Sequence, residues 1–420
     1  MNFIDLFAGA GGLSEGFIRQ GFKPVAHIEM DAYAAQTLKT RAAYHYLKEN
    51  GRLDVYHRYL KNQLTREELY GEVDPKVLNT VLNREISDES IDEIFQTIDE
   101  SLDNNEASSV DVLIGGPPCQ AYSLVGRARD PYNKEHDPRN YLYRQYVKFL
   151  EKYKPKLFVF ENVPGILTAG KGRLFEDVQR IMDDAGYNIE ARILDASMFG
   201  VLQKRRRVIL IGWVKGTDLF YPDFDNYIHN YLVSDILNDM PSLQPAETKD
   251  FMYTSPPSEY LSKHGIRSDD DILVQHISRP QNDHDREIYR LAIDKWDKER
   301  KRLKYTDVPV KDRTHSNITS FLDRFKVVAS DLNYSHTMVA HIAKDGHYYI
   351  HPDINQLRSL SVREAARIQS FPDNFFFEGP RTAMFTQIGN AVPPLMAESI
   401  AQKIKQMLEN KIERQLELSL

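Results

Sequence analysis

Cys119 is the one cysteine among 420 residues, and it stands in GGPPCQAYS, behind two glycines and two prolines rather than inside an apolar run. A lone thiol is either an inert small hydrophobe or a nucleophile, and it can form no internal disulfide. Pro117 and Pro118 stiffen the approach to it, which would fix the direction of the sulfur. Glu161, in the tripeptide ENV, is a poor neighbour for a plain thiolate nucleophile, because a nearby negative charge raises a thiol pKa. It becomes useful if its carboxyl is protonated and donates to a substrate. In QKRRRV, alternation puts Arg205 and Arg207 on one side and Arg206 on the other, so one side faces either a substrate oxygen or solvent.

A second group lies near the start of the chain. DLFAGAGGLSEGF (5–17) places glycines where a strand would turn into a helix, so a ligand could approach the backbone and the free N–H groups of the helix end. The spacing is not G-x-G-x-x-G, and no Lys-Ser/Thr follows as in a phosphate loop. Glu29, in HIEMD, closes the next apolar run, the usual place for a carboxylate that holds a ribose hydroxyl pair. Each feature alone has an ordinary explanation, a tight turn or an exposed carboxylate. Together they point to a nucleoside-containing cofactor.

Positioning these groups requires strands that end on one rim. NFIDLF (2–7), PVAHIE (24–29), VDVLIGG (110–116), KLFVFEN (156–162), NIEARILDA (188–196) and RRVILIGWV (206–214) read as strands. Helical spacing fills the stretches to Ile18, from Ala32, and across 139–153 and 172–186. The pattern is α/β, a doubly wound and mostly parallel sheet covered on both faces, with ligands at the carboxyl ends of the strands. Cys119 and Glu161 both follow strand ends and share that rim. Residues 45–108 read as an acidic helical insertion on the surface, with Ile86, Ile91, Ile94, Ile98 and Leu102 at helical spacing. From about 216 to 345 the pattern dissolves into loops, a smaller irregular region. Ser361 and Glu364 have capping-box spacing at the head of a short helix, and 395–418 reads as a final amphipathic helix.

The net charge of −7 argues at first against a nucleic-acid partner, but residues 72–106 hold eleven acidic and two basic residues and leave the remainder near neutrality. The basic runs QKRRR (203–207) and KWDKERKRLK (295–304) fall in that remainder. No run of about 18 apolar residues is present, so no membrane span is expected, and the N-terminus lacks a basic leader. HTMVAHIAKDGHYYIHP (336–352) holds four histidines and reads as a hairpin with a Lys-Asp-Gly turn rather than as a metal site.

DLFAGAGG, GGPPCQ, ENV, QKRRRV, REAARIQSFP and QIGNAVPP (387–394) occur in the order of the motifs of the DNA cytosine-C5 methyltransferases, and over 1–44, 110–214 and 357–395 the chain resembles that family. The resemblance implies a methyl donor, S-adenosyl-L-methionine, and a cytosine flipped out of duplex DNA. Cys119 then resembles the nucleophile that adds to cytosine C6, Glu161 the group at N3, and Arg207 the arginine at O2, with Arg205 beside it. Asp5, Phe7, Ala8, Gly9, Gly11, Gly12, Leu13, Glu29, Met30, Pro118, Asn390 and Val392 match cofactor-binding positions. Glu85 or Asp99 would meet the adenine, and Ala121-Tyr122 stands where the family commonly has Gly-Phe.

On the same grounds Gln120, Ser123, Arg127, Arg129, Gln203 and Arg363 are expected at the DNA, with Arg139 on the same loop as Arg127 and Arg129, and Arg358, Arg363 and Arg367 are expected to organise the second domain, Arg363 and Arg367 sharing a helical face. The implied division is a catalytic and cofactor-binding domain (1–214), a target recognition domain (215–384) and a segment returning to the catalytic domain (385–420). A bacterial restriction-modification role implies a monomer in the cytoplasm or nucleoid, with a cognate endonuclease acting independently. Two other functions fit the same motifs, a tRNA cytosine methyltransferase and an inactive DNA-binding homologue.

Overall fold

The computed structural model describes residues 1–104, 109–118, 142–314 and 316–417. Seven strands form one sheet in the order β3-β2-β1-β4-β5-β7-β6. The strands are β1 (Asn2–Leu6), β2 (Lys23–Glu29), β3 (Val81–Asn83), β4 (Val112–Gly115), β5 (Leu157–Asn162), β6 (Tyr187–Asp195) and β7 (Arg206–Val214). β1 pairs in parallel with both β2 and β4, so the crossovers leave it in opposite directions and a crevice opens above its carboxyl end. β7 runs antiparallel to β5 and β6, which brings its first residues back to the rim where β5 ends.

The sheet is covered on both faces, as its Val, Ile and Leu content requires. Helices α1 (Gly12–Arg19) and α2 (Ala32–Glu49) follow β1 and β2. The region expected as a surface insertion divides into two parts. Short helices α3 (Leu53–Leu60), α4 (Arg66–Gly71) and α5 (Pro75–Leu78) lead into β3. Helix α6 (Ile91–Asn104) then buries Ile91, Ile94 and Ile98 in one core with Val25, Ile28 and Leu113 of the sheet. The second part is therefore a strand and a covering helix of the sheet. Its acidic residues lie on the outer side of an apolar stripe and masked that role. Helices α7 (Leu142–Tyr153) and α8 (Arg173–Asp184) lie near their expected positions.

The irregular region contains one long helix that the sequence reading missed, α9 (Asp283–Glu299), capped by Asn282. Ile288, Tyr289, Ala292 and Ile293 bury one side of it against Phe325 and Ile350, beneath a surface of charged residues. The basic run 295–304 is its last turn and the strand-free exit, with Arg300 in a left-handed cap. The expected hairpin at 336–352 is absent. A 3-10 turn covers Ala340–Ala343, and Ile350 instead bridges Val327 and Ser359. Its histidines take separate partners: Tyr348 O for His336, Asp345 for His341, Tyr289 Oη for His347 and Asp353 N for His351.

Helix α10 (Val362–Ile368) opens with the expected capping box. Serine 361 accepts from Glu364 N, and Glu364 accepts from Ser361 N at 2.7 Å. Helices α11 (Arg381–Asn390) and α12 (Pro394–Glu417) return to the sheet. A Cβ on Gly16 would stand 2.5 Å from the Ala397 side chain, so α1 and α12 meet backbone to backbone at a residue without a side chain.

Candidate active site

The turn after β1 is strained. Phe7, a bulky residue, takes φ 55°, and Gly9 and Gly11 follow at 56° and 86°. A left-handed aromatic costs about 1–3 kcal/mol and persists only where its surroundings enforce it. Here Ala8 N donates to Ile28 O, and Gly9 N donates to Glu29 Oε2 at 2.8 Å. Glu29 therefore holds the loop with one oxygen and Asp31 N with the other, at 2.7 Å. Burial raises its carboxyl pKa while these backbone donors oppose the rise. Asn83, at the end of β3, donates to the carbonyls of Glu29 and Met30 and locks the neighbouring strand end. The sequence reading missed Asn83.

This crevice suits a nucleoside-containing group. A Cβ on Gly9 would meet nothing within 4 Å, so the loop borders open space. Met30 is 63% exposed on the rim. Asp5 lies beneath the loop, and its buried Oδ2 has no hydrogen-bond partner among the described residues. Burial raises the Asp5 pKa well above the usual carboxylate range, Ser14 opposes this, and the Glu29 charge adds to it. Gly12 backs onto the returning segment, where a Cβ would stand 2.2 Å from Val392 O. Leu13 sends its side chain into the core, which leaves only its backbone for a ligand. Asn390 is exposed at the end of α11. Of the two adenine candidates, Glu85 directly follows β3 and Arg84, whereas Asp99 sits on α6 paired with Lys152 at 2.8 Å.

The second cluster forms where β4, β5 and β7 meet. Glu161 Oε1 pairs with Arg207 Nε at 2.7 Å. A Cβ on Gly116 would stand 2.6 Å from Glu161 Oε2, so the turn Gly116–Pro118 runs directly past that carboxylate. Asn162 fixes the turn by donating to Pro117 O at 3.1 Å. Its place next to Glu161 in ENV was the available signal for this role. Pro118 is half-buried at the end of the turn. Cys119, Gln120, Ala121, Tyr122, Ser123, Arg127, Arg129 and Arg139 lie outside the described residues.

Three expected contact residues have other work. Arg205 shares the inward side with Arg207, as alternation required, but it is fully buried and donates to backbone carbonyls of Met338, Gly389 and Ala391. Its terminal nitrogens are thus committed to the protein's own backbone. Gln203, also fully buried, donates to Ile368 O and Gln369 Oε1 and accepts from Met338 N, so its side chain is not free for DNA. Arg363 is fully buried and donates to Val274 O, Pro372 O and Phe375 O. Of its two expected roles, these bonds fit the organising one, and its guanidinium is not free for DNA. Arg367 does the same through Asp239 and Asp373, and Arg358 through Glu364.

The model of the family described as "C-5 cytosine-specific DNA methylase" matches residues 1–55 and 71–406. The chain is 44% identical to the type II methyltransferase M.Bpa9945I of Bacillus paralicheniformis, covering 97% of this chain and 99% of the relative. It is 32% identical to the type II methyltransferase M.XorII of Xanthomonas oryzae pv. oryzae, covering 99% of this chain and 87% of that one. Among solved structures, a prophage-encoded chain from E. coli described as a DNA modification methyltransferase has a similar fold. It superposes with a TM-score of 0.65 at 23% identity, over 97% of this chain and 99% of the other.

Proposed function

Since the chain belongs to the C-5 cytosine-specific DNA methylase family, we propose that it methylates carbon 5 of a cytosine flipped out of a specific duplex DNA sequence, with Cys119 as covalent nucleophile. The observation that carries this reading is the Glu161–Arg207 pair, 2.7 Å apart on the rim and beside the turn that leads to Cys119. Cytosine C5 is a weak nucleophile. Addition of the Cys119 thiolate to C6, with Glu161 hydrogen-bonded at N3 and Arg207 at O2, draws charge onto those atoms and gives C5 enamine character. After methylation, loss of the C5 proton and expulsion of the thiolate restore the aromatic ring and free Cys119.

S-adenosyl-L-methionine would supply the electrophilic methyl group. Glu29 and Met30 would hold its ribose, Glu85 its adenine, and the Phe7–Leu13 backbone, Asp5, Pro118, Asn390 and Val392 the remainder. Residues 215–384 would read the target, and 385–420 would return to close the cofactor wall. The chain would act as a monomer in a bacterial cytoplasm or nucleoid, protecting sites from a separate restriction endonuclease.

The test is transfer of tritiated methyl groups to duplex DNA and to tRNA, with Cys119→Ser as control. Labelling of DNA that the substitution abolishes is expected, together with a covalent complex on 5-fluorocytosine DNA. Labelling of tRNA alone would make the chain an RNA enzyme. Labelling of neither would make it a binding homologue.

A further inference from the structure

Arg205 carries a charge into the core without a carboxylate partner among the described residues. Burial and then the neighbouring Arg207 press its pKa downward. An arginine nevertheless stays protonated in a protein, so its surroundings must hold the cation. They do so with a helix end. Arg205 Nη2 donates to Gly389 O at 3.1 Å and Ala391 O at 2.8 Å, and Asn390 O lies at 3.5 Å. These are the last carbonyls of α11 and that of its cap Ala391, where partial negative charge gathers and no intrahelical donor remains. The other terminal nitrogen, Nη1, donates to Met338 O of the second domain.

Gln203, two residues earlier, strengthens the same joint. It reaches Gln369 Oε1 at 2.8 Å, and Gln369 Nε2 donates to Ile388 O at 2.6 Å. The segment 203–207, which leads into β7, thus holds the end of α10, the end of α11 and the irregular stretch at Met338 in one network, while its last residue, Arg207, pairs with Glu161. There is no slack beyond this joint. Gly12 has no room for even a Cβ against Val392 O, so a shift at Ala391 passes directly to the glycine loop.

We propose that Arg205 is a positioning residue that sets Asn390 and Val392 against the glycine loop, so that the loop aiming Arg207 at the base also fixes the wall of the cofactor crevice. This rests on the functional reading above, in which Asn390 and Val392 border the cofactor and Arg207 the cytosine. A guanidinium is required because its fork spans several carbonyls at once, whereas a lysine is a single point charge that reaches one.

The experiment compares wild type with Arg205→Lys and Arg205→Ala. It measures the KM for S-adenosyl-L-methionine and for duplex DNA in methyl transfer, the calorimetric Kd for S-adenosyl-L-homocysteine, and thermal melting. Removing the fork should raise the cofactor KM and Kd about tenfold, within the range usual for coupling between sites. The DNA KM should move much less, and Arg205→Lys should recover part of the loss. If Arg205→Ala does not fold, Arg205→Lys decides. A folded Arg205→Lys with unchanged cofactor KM and Kd would overturn the proposal. So would cofactor and DNA KM rising in proportion, the sign of a general structural defect. A wild-type chain that binds no cofactor would sink the functional reading, and the proposal with it. A wild type that binds while both variants bind equally well sinks the Arg205 proposal alone.

Discussion

Arg207 and Glu161 are the residues of β7 and β5 that the antiparallel pairing of those strands delivers to one rim, and each is almost closed to solvent, at 11% and 13% exposure. One carboxylate oxygen is committed to the arginine and the other borders Gly116. Glu161→Gln keeps the shape and removes the charge. We expect methyl transfer to DNA to fall about 10²- to 10⁴-fold, the range for loss of a positioned acid–base group. The melting temperature should stay close to wild type. Single-turnover transfer rates read this directly, and a loss below tenfold would remove Glu161 from the reaction.

Gly12→Ala tests the proposed cofactor wall from the opposite side. The new methyl would have to displace the Val392 backbone, which a Cβ meets at 2.2 Å, and it would also press on the Ala391 side chain at 3.1 Å. Overpacking of this kind costs about 1–3 kcal/mol. The expected result is a weaker Kd for S-adenosyl-L-homocysteine by calorimetry, with duplex binding in a gel-shift assay little changed. Equal cofactor affinity in the variant would mean that the two segments yield without consequence.

Arg367 is fully buried between Asp239 and Asp373, with bonds of 2.5 Å and 2.6 Å. Tyr253 donates to Asp373 as well. Asp239 is also paired with the buried Arg267, so Arg367→Ala leaves Asp373 without its counterion and Asp239 with Arg267 alone, and should cost about 3–5 kcal/mol. Urea denaturation measures this as a lower midpoint. A cost under 1 kcal/mol would show that water or Arg267 replaces the lost guanidinium.

Acid should destabilise the fold through its buried histidines. Burial pushes His27, His336 and His351 down to about 4, 4 and 3 in the folded chain. Their unfolded value is about 6.5, so between roughly pH 6.5 and 4 the unfolded chain binds protons that the folded chain refuses. Stability therefore falls as pH drops through that window, by up to about 1.4 kcal/mol per pH unit for each histidine. Asp5 works in the opposite sense, since burial raises its pKa and the folded chain takes that proton first. The melting temperature should decline from pH 6.5 to 4.5, and His351→Gln should flatten the decline. An unchanged slope would mean that His351 meets solvent on acidification.

The rim was legible because its chemistry is carried by short local signals. Glu29 closes an apolar run, Glu161 opens ENV, and the glycines of 9–12 announce a turn that only they can make. What sequence left hidden depends on partners distant along the chain. Arg205 and Arg207 look alike in QKRRRV, yet one meets a carboxylate and the other a helix end more than a hundred residues away. Arg363 was expected both at the DNA and as an organiser of the second domain, and only its three carbonyl acceptors separate the two roles. Helix α9 was missed because acidic and basic residues crowd its outer side, although Ile288, Ala292 and Ile293 repeat at helical spacing. The acidic residues of α6 hid a sheet helix for the same reason.

The contacts of Gly12 with Val392 and of Gly16 with Ala397 join stretches that the ribosome makes at very different times. While that returning segment is still unmade, α1 lacks the backing of Ala391 and Val392 at Gly12 and of Ala397 at Gly16. A chain without the returning segment therefore holds a crevice with one side missing. Two separately expressed fragments, divided in the 215–235 stretch, would carry complementary halves of that crevice and could regain it only by meeting.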